Sequence, residues 1–131
     1  MAYIKFKELT HYFNFDRKIK SSELPPYVYH YVSDGEEILI AYATKRDKCL
    51  FTERKIVLFD RKDILGGKKK IHFFPYKNIS STAIVFKHSS VSILLTMDSG
   101  YQVNLNYVKM SDKDKTEIRK VYYQMVEKIE K

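Results

Sequence analysis

The stretch that most constrains the fold is KCLFTERKIVLFD, residues 48–60, because it holds two apolar segments separated by a polar corner. Cys49, Leu50 and Phe51 form the first segment, and residues 56–59 form the second. β-Branched and aromatic residues of this kind suit a pleated, half-buried surface. A short polar break between two such segments is typical of a hairpin. The stretch therefore predicts two antiparallel strands, 48–52 and 55–60.

The same pattern of short apolar runs and polar breaks continues along the chain and predicts five more strands. The last of them alternates strictly between apolar and polar residues from Tyr101 to Tyr107, as an antiparallel strand with one buried face does. Asp98-Ser99-Gly100 is the tight turn before it, with glycine at the position that needs positive φ. The five predicted strands are residues 38–44, 69–74, 80–87, 91–97 and 101–108.

One amphipathic helix closes the chain. Ser111 is a favourable N-cap, and Asp114 follows three residues later as in a capping box. One apolar stripe follows at helical spacing. Its members are Ile118, Val121, Tyr122, Met125 and Ile129. Seven short strands followed by one helix predict a mainly β fold, a seven-stranded antiparallel barrel capped by a C-terminal α-helix.

Residues 1–33 follow a different pattern and are predicted as an N-terminal helical arm, separate from a domain over residues 34–131. Phe6, Leu9 and Phe13 recur at helical spacing, which predicts a helix over residues 3–13.

A second helix is predicted after the proline pair Pro25-Pro26, because proline is tolerated in a first helical turn. Asp34-Gly35 fits the end of that helix. A strand over residues 27–32 is the alternative, because three tyrosines alternate there with Val28, His30 and Val32. The sequence favours the helix.

The length of 131 residues predicts one domain with an appendage. The single cysteine, Cys49, excludes an internal disulfide and lies in an apolar run, which predicts a buried, inert thiol. Charges recur through the first residues, so no signal peptide is expected, and no apolar run approaches the length of a membrane span. These features favour the cytoplasm.

No catalytic or metal-binding pattern stands out. The four histidines are scattered, and no pair has the spacing of a known metal motif. Gly66-Gly67-Lys68 lacks both the first glycine and the hydroxyl residue of a phosphate-binding loop. We therefore expect no enzyme activity, no cofactor and no metal.

Three stretches carry a family resemblance. Gly35-Glu36, the hairpin residues 50–60 and the segment FPYKNI at 74–79 resemble the "GE", "hhTxxRhhhhD" and "hPYxxI" motifs of bacterial pleckstrin-homology-like (PH-like) domains. The likeness covers roughly residues 34–129. It implies a strongly bent seven-stranded barrel with a C-terminal helix and a binding role rather than a reaction. Some members form homo-oligomeric rings, so the resemblance also implies self-association.

In eukaryotic relatives of this family, the loops after the first and third strands hold the phosphates of inositol lipids. The corresponding loops here, 45–48 and 61–70, are basic. Strand 48–52 has no further basic residue after Lys48, so a diffuse basic patch that attracts anionic partners is favoured over a specific lipid site. The candidate residues are Lys45, Arg46, Lys48, Arg61, Lys62, Lys68, Lys69 and Lys70.

Two hypotheses of function follow. The first is a non-catalytic module that binds protein, a second copy or an acidic partner, with Tyr27, Tyr29 and Tyr31 as anchors. Its net charge of +8 would steer an acidic partner. The alternative is an electrostatic binder of anionic membrane or nucleic acid through the two basic loops, and neither hypothesis includes a specific small-molecule substrate.

The segment 68–76, KKKIHFFPY, is a candidate for nucleic-acid binding, since aromatic residues between basic ones can stack on bases. The favoured interpretation places Ile71, Phe73 and Phe74 in the core and the neighbouring polar residues outside. Those polar residues are Lys69, Lys70 and His72.

Overall fold

The computed structural model describes residues 10–60 and 70–130. These residues form nine strands, three 3₁₀ helices and one α-helix. The strands are β1 Thr10–Phe15, β2 Arg17–Ile19, β3 Ile38–Ala43, β4 Lys48–Thr52, β5 Lys55–Asp60, β6 Lys70–Pro75, β7 Ile79–Phe86, β8 Val91–Met97 and β9 Gln102–Tyr107. The 3₁₀ helices are Ser21–Glu23, Pro26–Tyr31 and Tyr76–Asn78, and the α-helix α1 is Asp112–Glu130.

The strands lie in two sheets. One has the order β1-β9-β8-β7, and the other has the order β2-β3-β4-β5-β6. All neighbours are antiparallel except β1 and β9, which are parallel. The fold is thus mainly β with one C-terminal helix, as predicted, but the predicted closed barrel is wrong. Pro75 and the following 3₁₀ turn carry the chain from one sheet to the other, and proline donates no ladder bond there.

The seven predicted strands are confirmed with small shifts at their ends. β4, β5 and β8 match the predicted bounds, and the other four differ by one or two residues. Gly100 has φ +93° in the turn before β9, and its N–H donates to the carbonyl of Met97 at 2.8 Å. Apolar runs and polar breaks predict these strands well, because each strand buries its apolar residues and ends close to a polar turn.

The prediction of an N-terminal helical arm is wrong for the described residues. Residues 3–9 lie outside the description, and residues 10–15 form β1 rather than the end of a helix. Phe13 and Phe15 are buried while Tyr12 and Asn14 are exposed, which is the period of a strand. The parallel pairing with β9 supplies this strand's partner from the far end of the chain.

The segment after the proline pair is helical, but its geometry is 3₁₀ and only six residues long, Pro26–Tyr31. The alternative strand over residues 27–32 is therefore not formed. The division of the chain at residue 33 stays a prediction, although β1 and β2 each extend one of the two sheets.

Two hydrophobic cores hold the fold together. The main core lies between the sheets and includes Phe15, Phe51 and Tyr107. A second core lies on the other side of the five-stranded sheet, where Leu24 and Val28 cover it. β3, β4 and β5 are consequently buried on both faces, which explains why their sequences are continuous apolar runs.

The C-terminal helix follows its predicted start and stripe. The Asp114 N–H donates to the Ser111 hydroxyl and the Ser111 N–H donates to the Asp114 carboxylate, each at 3.1 Å, so the capping box is complete. Ile118, Val121 and Met125 are buried. The helix contacts β3, β7 and the 3₁₀ turn Tyr76–Asn78. Of the helices in the described ranges, none is long and apolar enough to cross a membrane.

Candidate functional site

Exposed aromatic rings gather on the outer side of the five-stranded sheet. Tyr31 and Phe73 are 37% and 45% exposed, and their ring centroids lie 6.2 Å apart. Tyr29 is 48% exposed. Tyr27 is half-buried, with its ring edge-on to that of Phe59 at 5.6 Å. We call Tyr27, Tyr29, Tyr31 and Phe73 the aromatic surface.

The second core supports this surface from below. Phe59 is 3% exposed, and the Tyr31 ring also lies edge-on to it at 5.7 Å. The Tyr29 hydroxyl donates to the carbonyl of Ser21 at 3.0 Å. The surface is therefore built on packed and hydrogen-bonded residues, so its rings lose little freedom when a partner binds.

Phe73 corrects one sequence-based expectation. It was predicted in the core with His72 outside, yet Phe73 is exposed and His72 is half-buried. The cause is the alternation of side chains along β6. Phe74 is buried, and His72 stacks on it with ring centroids 6.0 Å apart, so both face the space between the sheets. Phe73, between them, faces outward.

The two basic loops leave the same end of the five-stranded sheet. Lys48 lies opposite Phe59 and Lys70 lies opposite Asp60, so the start of β4, the end of β5 and the start of β6 are adjacent. Lys45, Arg46 and Lys70 are exposed and Lys48 is half-buried. The remaining four candidates, Arg61, Lys62, Lys68 and Lys69, lie outside the described residues.

A buried acid lies at this end of the sheet and was not singled out in the sequence. Asp60 is 6% exposed, and its Oδ2 lies 3.8 Å from His72 Nε2. Burial lowers the pKa of His72, against the opposing effect of the Asp60 carboxylate. The described part of the chain contains no cluster of three side chains able to hold a metal ion.

An open groove of about 600 Å³ runs beside β6 and was also missed in the sequence. His72, Phe73 and Phe74 line one side, and the turn at Asp98 with Tyr101 lines the other. The rings of Phe74 and Tyr101 meet edge-on at 5.9 Å. Aromatic rings and polar residues therefore both line the groove, and one of its sides is a strand at the edge of a sheet.

The family motifs at Glu36 and Thr52 form a buried polar network. The Lys55 ammonium donates to Glu36 Oε1 at 2.9 Å, and the Ser33 N–H donates to the same oxygen at 3.0 Å. The Thr52 hydroxyl donates to Glu36 Oε2 and accepts the N–H of Arg54 at 3.1 Å. Burial by itself would raise the pKa of Glu36, but these hydrogen bonds outweigh it and the pKa is lowered. The network connects the residues before β3 to the turn between β4 and β5.

The cysteine prediction is confirmed. Cys49 is fully buried, and burial raises the pKa of its thiol to about 12. Its sulfur lies 3.4 Å from the Tyr107 hydroxyl, inside the main core. A thiol with so little thiolate at neutral pH is a poor nucleophile.

Comparison with known proteins finds two similar proteins of Bacillus subtilis strain 168. Uncharacterised protein YjqA is 33% identical over 55 residues, which is 42% of this chain and 44% of YjqA. Uncharacterised protein YozO is 33% identical over 93 residues, which is 67% of this chain and 76% of YozO. The match to YjqA therefore spans less than half of the length of that protein.

Two solved structures are similar in fold. The first is a DUF1696 family protein with a pleckstrin-homology domain from Shewanella loihica, with TM-score 0.67 and 22% identity over 82% of this chain and 94% of that chain. The second is a PH-domain-containing bacterial protein from Exiguobacterium sibiricum, with TM-score 0.66 and 18% identity over 89% of this chain and 63% of that chain.

The model of the bacterial PH domain family matches residues 12–129. The match begins within β1 and ends within α1, so it includes both sheets and the helix, and the resemblance noted in the sequence is confirmed. The chain belongs to the bacterial PH domain family.

Proposed function

We propose that this chain is a non-catalytic interaction module that binds a protein, either a second copy or an acidic partner, through the aromatic surface. The observation that carries the proposal is the pairing of two exposed rings, Tyr31 and Phe73, beside an exposed Tyr29. Large aromatic side chains are enriched among the residues that dominate binding energy at protein interfaces. PH-like domains often serve as binding modules, which supports the same proposal.

The charge of the chain supports an acidic partner. The net charge is +8, and basic residues flank the end of the sheet from which the two loops leave. Complementary charge speeds association and orients the partners more than it adds affinity. In this proposal the lysines steer and the rings bind, and the module acts in the cytoplasm.

Replacing Tyr31 by alanine is expected to weaken partner binding roughly thirtyfold, since truncating an interface hot spot costs about 2 kcal/mol or more. The partner is first captured from nuclease-treated bacterial lysate at moderate salt and identified by mass spectrometry. Its affinity is then measured with purified protein by calorimetry. Tyr123→Ala is the matched control, because Tyr123 is a 64% exposed tyrosine on α1, outside the aromatic surface.

Light scattering after size-exclusion chromatography covers the case in which the partner is a second copy. There, Tyr31→Ala is expected to shift the chain toward monomer and Tyr123→Ala to leave it unchanged. Equal effects of the two substitutions on both binding and self-association would contradict the proposal.

A second candidate function is supported by the strand register, which brings the two basic loops to one end of the sheet. It is electrostatic binding of an anionic membrane or nucleic acid. Reversing Lys68, Lys69 and Lys70 to glutamate is expected to abolish sedimentation with vesicles that contain anionic lipid, or binding to duplex DNA. Wild-type binding to DNA would also fall steeply with added salt. The control reverses the charges of the helix residues Lys113 and Lys120. An equal loss of binding in the control would contradict a specific role for the two basic loops.

A further inference from the structure

β6 lies at an edge of the five-stranded sheet, and its hydrogen-bond pattern follows from one contact. The Tyr76 N–H donates to the Arg54 carbonyl at 3.1 Å, and these two residues continue the register in which Lys55 lies opposite Pro75. Hydrogen-bonded and non-hydrogen-bonded pairs alternate along an antiparallel ladder. His72 and Phe74 therefore direct their backbone groups toward β5.

Ile71 and Phe73 direct their N–H and C=O groups away from the sheet. The backbone of Pro75 also points away from β5, so the missing N–H of proline removes no hydrogen bond between β5 and β6. Within residues 10–60 and 70–130, no strand pairs with this outer edge. The edge thus presents alternating donors and acceptors that suit another extended backbone.

Aromatic rings lie on both sides of this edge. The groove of about 600 Å³ with Phe74 and Tyr101 lies on the inner side. On the outer side, the ring of Phe73 meets that of Tyr31 and continues into the aromatic surface. A strand added here would alternate its side chains between the groove and the aromatic surface, because successive side chains of a strand point to opposite faces.

We propose that β6 binds an extended segment of a partner protein as an added strand. The segment would be a short run rich in β-branched and aromatic residues. This inference rests on the proposed function, since Phe73 and Tyr31 belong to both, and it specifies the conformation of the bound partner. Main-chain hydrogen bonds to Phe73 and Ile71 would supply affinity, and pockets on the two sides would supply specificity.

The test compares Phe73→Pro with Phe73→Ala in the full chain. Both variants lose the ring, but only proline loses the outward N–H. The probe is a library of random peptides displayed on phage and selected on Phe73→Ala, so that selection does not depend on the ring. We expect selected peptides to be rich in β-branched and aromatic residues and to bind Phe73→Pro about tenfold more weakly than Phe73→Ala, because an unmade hydrogen bond costs about this much.

Phe86→Pro is the matched control for proline itself. Phe86 lies at the edge strand β7, one position before the Lys87 N–H that donates to the Ser90 carbonyl, so its own N–H also points outward. This variant should bind the peptides as the wild type does. If binding falls with Phe86→Pro and not with Phe73→Pro, the added strand lies elsewhere and the proposal is overturned.

Hydrogen exchange of the wild-type chain provides a readout that needs no variant. Saturating peptide is expected to slow exchange of the Phe73 and Ile71 amides. The proposal is overturned if no peptide is selected, if these amides are not protected, or if Phe73→Pro and Phe73→Ala bind equally. A further outcome separates the two proposals. If Tyr31→Ala loses partner binding while the two Phe73 variants bind the peptides equally, the proposed function is supported and strand addition is rejected.

Discussion

Replacing Glu36 by alanine is expected to lower the free energy of unfolding by about 3 kcal/mol, because it breaks a buried ion pair and removes charged hydrogen bonds. The Glu36 side chain is 0% exposed and that of Lys55 is 17% exposed, so water replaces the lost partners poorly. Thr52, which is 0% exposed, also loses the carboxylate that accepts its hydroxyl. For a chain of this length the midpoint of thermal unfolding should fall by roughly 10 °C.

Glu37→Ala is the control for this substitution. Glu37 is the adjacent glutamate and is exposed, and its backbone N–H and C=O bonds to Glu53 remain in the variant. Its effect should stay within about 0.5 kcal/mol, as for most surface positions. Chemical denaturation of the three proteins measures the difference. Similar stabilities for the two variants would show that the network contributes little.

The pH dependence of stability provides a separate test of the same network. Because the pKa of Glu36 is lowered in the folded chain, its stabilising contribution is complete above the ordinary glutamate value of 4.5 and is lost as pH falls below that value. The difference in unfolding free energy between wild type and Glu36→Ala should therefore shrink as the pH falls below this value. A difference that stays constant as the pH falls would contradict the lowered pKa.

The strands were predicted accurately where the burial pattern of a strand is visible in its own residues and the turns beside it. β4, β5 and β8 could be predicted to the residue because each is a continuous or alternating apolar run that ends at polar turns. The helix α1 was equally clear, since its capping box and its stripe agree with each other.

The sequence was a poor guide where structure depends on distant partners. β1 pairs with β9, about ninety residues away, and nothing local distinguishes its alternation from the helical spacing that shares Phe13. The residues that cover the outer face of the five-stranded sheet were also not predictable from the sequence. The apolar faces of β3 to β5 had to be covered on both sides, but the sequence could not say that Leu24 and Val28 cover them.

The candidate site was partly predictable. Tyr29 and Tyr31 were identified by their position after the proline pair, and both are exposed. Phe73 was missed because the run IHFF offers two registers for a strand, and only the pairing with β5 decides which phenylalanine is buried. Glu36 belonged to a recognised motif, but its carboxylate partners come from Ser33 and the β4–β5 turn and appear only in the fold.

Replacing Phe59 by alanine is expected to lower the free energy of unfolding by about 4 kcal/mol, as for other buried phenylalanines. Phe59 is 3% exposed and lies beneath the residue 26–31 segment, where it contacts the rings of Tyr27 and Tyr31. The cavity left by its ring would be bordered by Leu24 and Val28 from the segment that covers the sheet. Thermal unfolding should shift down by roughly 15 °C.

Phe86→Ala is the control, because Phe86 is 46% exposed and should cost less than about 1 kcal/mol. Phe59→Ala should also weaken partner binding at a temperature where the variant is still folded, since Tyr31 loses the ring that positions it. Faster amide exchange over residues 24–31 would accompany that loss, because these residues depend on the second core. If Phe59→Ala matched Phe86→Ala in stability, exchange and binding, the covering segment would not be anchored on this sheet and the aromatic surface would not be a preformed site.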